Sequence, residues 1–250
     1  MTEVHTVDIC HPNLTITYFD SVDAAARHAV TDDGIIRYGS MVSLNAEKII
    51  SLRKSPESPD NSRNIIYYPD GAAALFFVKH KYPRIPGVEL WLRILERGQS
   101  IGAEICIFGA SKGVSKKTEM ILSRRFPNAK LTILDGFRDL TDYERAVLRK
   151  KPKIVFVAMG MPRQDMLISH LQRFSPKTLY LGIGGSLDIL TGEKRRAPRF
   201  FLENNMEFAY RLFSEPSRII RQRVLLYFIL FYYLGLFKCK TSRDFRSGLR

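Results

Sequence analysis

The sequence predicts an α/β fold: an open, mostly parallel sheet flanked by helices in a Rossmann-like arrangement, followed by a basic, helical, membrane-associating appendage. Three observations carry this reading. Apolar segments alternate with amphipathic ones through the middle of the chain. Several apolar segments are unbroken and close on glycine, as strands buried on both faces do. Positive charge gathers in the last fifth of the chain. The expected division is an α/β core over 1–195 and an appendage over 196–250, with an interfacial membrane segment at 224–237.

Taken in order, the expected strands are "MVSLN" (41–45), "NIIYY" (64–68), "EICIFG" (104–109), "LTILDG" (131–136), "KIVFVAMG" (153–160) and "TLYLGIGG" (178–185). The helical patterns between them are "AEKIISLRK" (46–54), "VELWLRILERG" (88–98), "GVSKKTEMILSRRF" (113–126), "TDYERAVLRKK" (141–151) and "RQDMLISHLQRF" (163–174). The polar, Pro/Ser-rich stretch over 53–64 reads as a loop. After "RRAP" (195–198) the strand signal stops and the chain turns helical and basic. In open sheets of this kind ligands bind beyond the C-terminal strand ends, so motifs at those ends are the ones to weigh.

Lys and Arg total 39 against 25 Asp and Glu, a formal charge of +14. Such an excess implies an anionic partner: phosphorylated ligand, anionic lipid or nucleic acid. Nucleic acid is the weakest of these, because outside the tail the basic residues are not interleaved with aromatics as a stacking platform requires. The three cysteines, Cys10, Cys106 and Cys239, form no CxxC or Cys/His cluster, so neither a zinc site nor a disulfide framework is expected. A reducing, intracellular compartment is the simplest reading. The first twenty residues lack a basic region followed by an apolar one, and no signal peptide is expected.

Several motifs sit at predicted strand ends, and each has a plain structural reading beside a functional one. In "SLNAEK" (43–48), Asn45 suits a helix cap, and Ser43 and Asn45 equally suit the lip of a cleft. Pro69-Asp70-Gly71 is ordinary turn chemistry, yet it places Asp70 after a strand and before an apolar helix, where an ionised carboxylate can serve as general base. Arg84 in "RIPGVEL" could clamp a phosphate or lie in solvent. The Gly109 loop of "FGASKGVSKK" suits backbone contact with a phosphate, but it is no Walker A sequence. "GIGGSL" (182–187) has Leu187 where a dinucleotide fingerprint needs its third glycine, so a P-loop NTPase and an NAD enzyme are both excluded. "AMGMPRQD" puts Gln164 at a helix start, and "GGSLDILTGEKRRAP" puts Asp188 after two glycines and before a basic loop. Arg211, Arg218 and Arg221 fall seven and three residues apart, on one face of a continuous helix.

Together the series "NAEK", "PDG", "FGxxxGV", "AMGxPRQ", "GGSLDxLTGxxxRAP" and "YRLFSEPSRIIRQ", in order over about 40–222, resembles the WecG/TagA/CpsF glycosyltransferases. The likeness is strongest to the enterobacterial-common-antigen type, which transfers N-acetylmannosaminuronic acid. The resemblance implies an inverting transfer of a sugar from a UDP-sugar to GlcNAc on undecaprenyl diphosphate, at the cytoplasmic face of the inner membrane, by a peripheral protein. It implies no cofactor and no obligatory metal. The sequence contains no DxD pair, the usual carboxylate clamp for a metal-bound sugar diphosphate. By the same resemblance Asp70 is the general base and Ser43 stands where a threonine is usual. Ser43, Asp70 and Gln164 are then the expected catalytic set. Asn45, Arg84, Gly109, Asp188, Arg211, Arg218 and Arg221 are the expected substrate-binding set, the last three closing over the diphosphate. Glu89 stands where the family has Asp, and Met161 where a small residue is usual. A homo-oligomer stays open. So does a different class, a non-catalytic module binding anionic lipid.

The run from Val224 to Phe237 is shorter than the roughly 20 apolar residues a membrane span needs. With tyrosines at 227, 232 and 233 and cations on both sides, it fits an interfacial helix, a buried core helix being the alternative.

Overall fold

The computed structural model describes residues 5–10, 13–54, 64–78, 81–198, 200–201, 210, 227–237 and 239–242. Their strands are β1 (His5–Cys10), β2 (Asn13–Tyr18), β3 (Gly39–Leu44), β4 (Ile65–Pro69), β5 (Glu104–Gly109), β6 (Lys130–Leu134), β7 (Ile154–Ala158), β8 (Leu179–Gly182) and β9 (Cys239–Ser242). They form one sheet in the order β6-β5-β7-β8-β3-β4-β2-β1-β9. From β6 to β2 all neighbours are parallel, whereas β1 runs antiparallel to both β2 and β9. The α/β, mostly parallel architecture is therefore as the sequence predicts.

The helices are α1 (Val22–Ala29), α2 (Ala46–Lys54), α3 (Ala72–Leu75), α4 (Gly87–Ser100), α5 (Lys112–Arg125), α6 (Leu140–Lys150), α7 (Arg163–Leu171), α8 (Ser186–Leu190) and a helix over 227–233, here α9. Ser21 and Ser111 cap α1 and α5 by accepting from N–H groups three residues on. Apart from Glu104 at the start of β5, strands β5, β7 and β8 are apolar throughout because both sheet faces are covered. Ile105, Ile107, Ile154, Phe156, Leu179 and Leu181 point into a core shared with Trp91, Ile94 and Leu95 of α4. Their alternates Cys106, Phe108, Val155, Val157 and Tyr180 point the other way, against Tyr143 of α6 and Leu167 of α7. A second cluster on the β1–β2 side holds Ile9, Ile16, Leu44, Ile49 and Phe228.

Four features differ from the sequence reading. The β1–β2 pair was not foreseen, although Val7 and Ile9 alternate with polar residues as a half-covered strand should. The strands do not stop at Arg196, since β9 returns to the sheet and pairs with β1 from Thr6↔Ser242 to Ile9↔Cys239. The helix after Asp70 is a single α-turn continued by a 3-10 turn over Phe76–Val78. The predicted interfacial segment is described only over 227–237, and there it is divided lengthwise. Phe228 and Phe237 are buried against Phe76 and Phe77, while Tyr227, Leu230, Tyr233, Leu234 and Leu236 are exposed. No helix among the described residues is long and apolar enough to cross a membrane. Most of the basic appendage, with Arg211, Arg218 and Arg221, lies outside the described residues, as does 55–63 of the predicted loop.

Candidate functional site

The two halves of the parallel sheet meet where β8 lies against β3. Beyond the C-terminal ends of β3, β4, β7 and β8 opens a cleft of about 240 Å³. Its lining includes Ser43, Asn45, Asp70, Gly87, Gln164 and the glycines at 182, 184 and 185, with Lys194, Arg195, Arg196 and Tyr210 at the rim. A larger groove of about 520 Å³ lies at the opposite strand ends, around Tyr38, Ile101, Lys151, Lys153 and Lys177. It contains no carboxylate at a strand's C-terminal end, and the position favoured for ligands in open α/β sheets is the smaller cleft.

Strand register explains how the polar side chains converge. Ser43 pairs with Tyr68 across β3 and β4, and Leu44 with Pro69. Residues two apart on a strand share a face, so Ser43 and Asn45 stand beside Tyr68 and Asp70. The Pro69-Asp70-Gly71 turn is pinned to β3 by the Gly71 N–H donating to the Leu44 carbonyl at 2.9 Å. A Cβ on Gly71 would lie 2.8 Å from Asn45 Cβ, so the close approach needs glycine. The motif thus makes the expected turn and also places Asp70 in the cleft lining. Asn45 Oδ1 accepts from the Lys48 N–H at 2.8 Å, capping α2 while it lines the cleft.

Asp70 stands between β4 and the Gly71 cap of α3, as expected, and its side chain also reaches the N-terminus of a second helix, α4. Its Oδ1 accepts from the Gly87 N–H at 3.2 Å, the first residue of α4, whose cap position is a proline with no side-chain bond to offer. Positive dipole and N–H donor both favour the ionised carboxylate. Gln164 is 8 % exposed, and its Oε1 accepts from the Gly184 N–H at 3.1 Å. A Cβ on Gly182 would fall 2.7 Å from Gln164 Nε2. The glutamine therefore braces the glycine loop 182–185 against α7. Deeper, Lys48 of α2 and Asp165 of α7 form an ion pair at 2.9 Å that ties together the two helices carrying Asn45 and Gln164.

Among the described residues, Gly109, Asp188 and Arg84 are not part of the lining. Gly109 ends β5 at φ 130°, and a Cβ there would lie 2.3 Å from the Ala158 carbonyl oxygen, so its place is set by strand contact. Asp188 on α8 faces Lys194 at 4.0 Å, and its carbonyl accepts from the Lys194 N–H, which closes the basic loop back on the helix. Arg84 lies on the segment before α4. Arg211, Arg218 and Arg221 are outside the described residues. Glu89, the departure from the family pattern, pairs with Arg196 and so ties α4 to the rim of the cleft. Sequence reasoning did not assign to the site Tyr68 beneath Asp70, the Lys48–Asp165 pair, or the rim cations Lys194, Arg195 and Arg196.

The arrangement sets one carboxylate against a wall of glycine backbone and three cations. It can take a proton from a bound hydroxyl while an anionic group lies against the rim. The model of the glycosyl transferase WecG/TagA/CpsF family matches residues 12–244, nearly the whole chain. The chain therefore belongs to the WecG/TagA/CpsF family of glycosyltransferases, which implies a sugar donor, an acceptor and a role in polysaccharide synthesis.

Proposed function

We propose that the protein transfers a sugar, N-acetylmannosaminuronic acid or a related hexosamine, from its UDP derivative to GlcNAc on a polyprenyl diphosphate. The observation that carries this is Asp70 sharing one cleft with Lys194, Arg195 and Arg196. Asp70 accepts the proton of the acceptor hydroxyl as its oxygen attacks the anomeric carbon. The new C–O bond forms as the bond from that carbon to the UDP phosphate breaks, with inversion. The leaving diphosphate gains charge, which the rim cations and the glycine-loop N–H groups offset. These cations, and the lack of a DxD pair in the sequence, support a reaction without a metal. Arg211, Arg218 and Arg221 would add to that charge if the appendage folds over the cleft.

The acceptor is a membrane lipid, and the exposed apolar face of α9 supports peripheral attachment at the cytoplasmic surface of the inner membrane. The test is a panel of UDP-sugars offered with a short-chain prenyl-diphosphate GlcNAc, products read by mass. Product should form with at least one donor, and Asp70→Asn should lower turnover by about three orders of magnitude or more in a protein that still melts cooperatively. Near-normal turnover in that variant would remove Asp70 as the base. No product, and no UDP binding by titration, would favour the lipid-binding module instead.

A further inference from the structure

Tyr68 is completely buried, with its ring in the core beneath α4. Its hydroxyl lies just behind the cleft lining: a Cβ on Gly87, which lines the cleft, would lie 3.2 Å from the Tyr68 oxygen and 3.3 Å from Asp70 Oδ2. Ser43, its register partner on β3, approaches the same oxygen from the cleft side. That approach falls short of hydrogen-bond geometry, and the hydroxyl has no hydrogen-bond partner among the described residues. A buried hydroxyl left unpaired costs about 1–3 kcal/mol, and phenylalanine would fill the same space without that cost.

We propose that the Tyr68 hydroxyl is a positioning residue for the transfer reaction: when the cleft is occupied it donates to Ser43 Oγ, turning the Ser43 hydrogen toward the ligand held against Asp70. The proposal rests on the sugar-transfer reading above. A serine hydroxyl has one rotor, so an accepted bond fixes where its own hydrogen points. Burial first, and then the charge of Asp70, raise the phenol pKa well above its usual value. Tyr68 is thus a neutral donor throughout the working pH range.

The test compares the wild type with Tyr68→Phe, Ser43→Ala and the double variant, using whichever UDP-sugar gives product with prenyl-diphosphate GlcNAc. Tyr68→Phe should lower kcat about tenfold, the worth of one hydrogen bond made in the reacting complex, while the KM for the UDP-sugar moves less than about twofold. Its melting temperature should equal or exceed that of the wild type. In the Ser43→Ala background the added Tyr68→Phe should change kcat no further, because the phenol acts through Ser43. Wild-type kcat in Tyr68→Phe, or a further loss in the double variant, would overturn the proposal while leaving sugar transfer intact. So would a lower melting temperature in Tyr68→Phe, which would assign the hydroxyl to the fold. If the wild type forms no product with any donor, the transfer reading fails and this proposal with it.

Discussion

Removing one half of the Lys48–Asp165 pair should cost far more than removing both. The Lys48 side chain is 5 % exposed and that of Asp165 20 %. Asp165→Ala leaves an ammonium almost wholly out of water with its carboxylate gone. Stranding a buried charge costs about 3–5 kcal/mol, and the partial exposure beside Asp165 puts this case near about 3 kcal/mol. Lys48→Met strands the better-solvated partner, for a loss of about 1–2 kcal/mol. The double variant Lys48→Met/Asp165→Leu leaves no buried charge and should return to within about 1 kcal/mol of the wild type. Urea unfolding reads this directly. With a slope of about 3 kcal/mol per molar, Asp165→Ala should lower the midpoint by about 1 M. A shift under about 0.3 M at unchanged slope, or a double variant no more stable than Asp165→Ala, would refute the reasoning. Because the pair joins α2 to α7, Asp165→Ala should also weaken the proposed UDP binding more than the double variant does.

Three further outcomes follow from the geometry. Gly182→Ala drives a Cβ against the Gln164 amide and should free the Gly184 N–H, costing about 1–3 kcal/mol in stability and weakening the proposed UDP binding, read by calorimetric titration. On α9 and the turn that follows it, Leu230→Ser/Leu234→Ser alters exposed residues only and should reduce sedimentation with anionic vesicles without lowering the melting temperature; unchanged sedimentation would argue against attachment through this face. His28 is held at a pKa of about 4 by burial and by neighbouring Arg37, whereas it titrates near 6.5 in the unfolded chain. Its contribution is therefore complete above pH 6.5 and is lost as pH falls toward 4, at most about 3 kcal/mol, and His28→Gln should flatten the urea-midpoint profile across that window.

What the sequence determined by itself is the parallel core. Strands β5, β7 and β8 have both faces covered, so burial demands apolar residues at every position but Glu104 at the start of β5, and that demand is visible without coordinates. Helices α2, α4, α5, α6 and α7 were legible for a similar reason: their 3.6-residue spacing is local, as are the Asn45 and Ser111 caps of α2 and α5. The edge of the sheet was not. β1 and β2 keep only one apolar residue in two, and β9 is a four-residue strand whose pairing with β1 spans more than two hundred residues of chain. Ser43, Asn45, Asp70 and Gln164 each stood out at a strand end, but only the β3–β4 register and the β8–β3 junction bring them to one cleft. The same register sets the Tyr68 hydroxyl beside Ser43, although residue type alone marks Tyr68 as core. Lys48 and Asp165, 117 residues apart, read as two surface charges until the packing of α2 and α7 excludes water from between them. Local sequence specifies which segments are strands and helices because hydrogen bonding and burial periodicity act over a few residues. Which side chains share a site depends on strand order and register, and these are fixed only when the whole core packs.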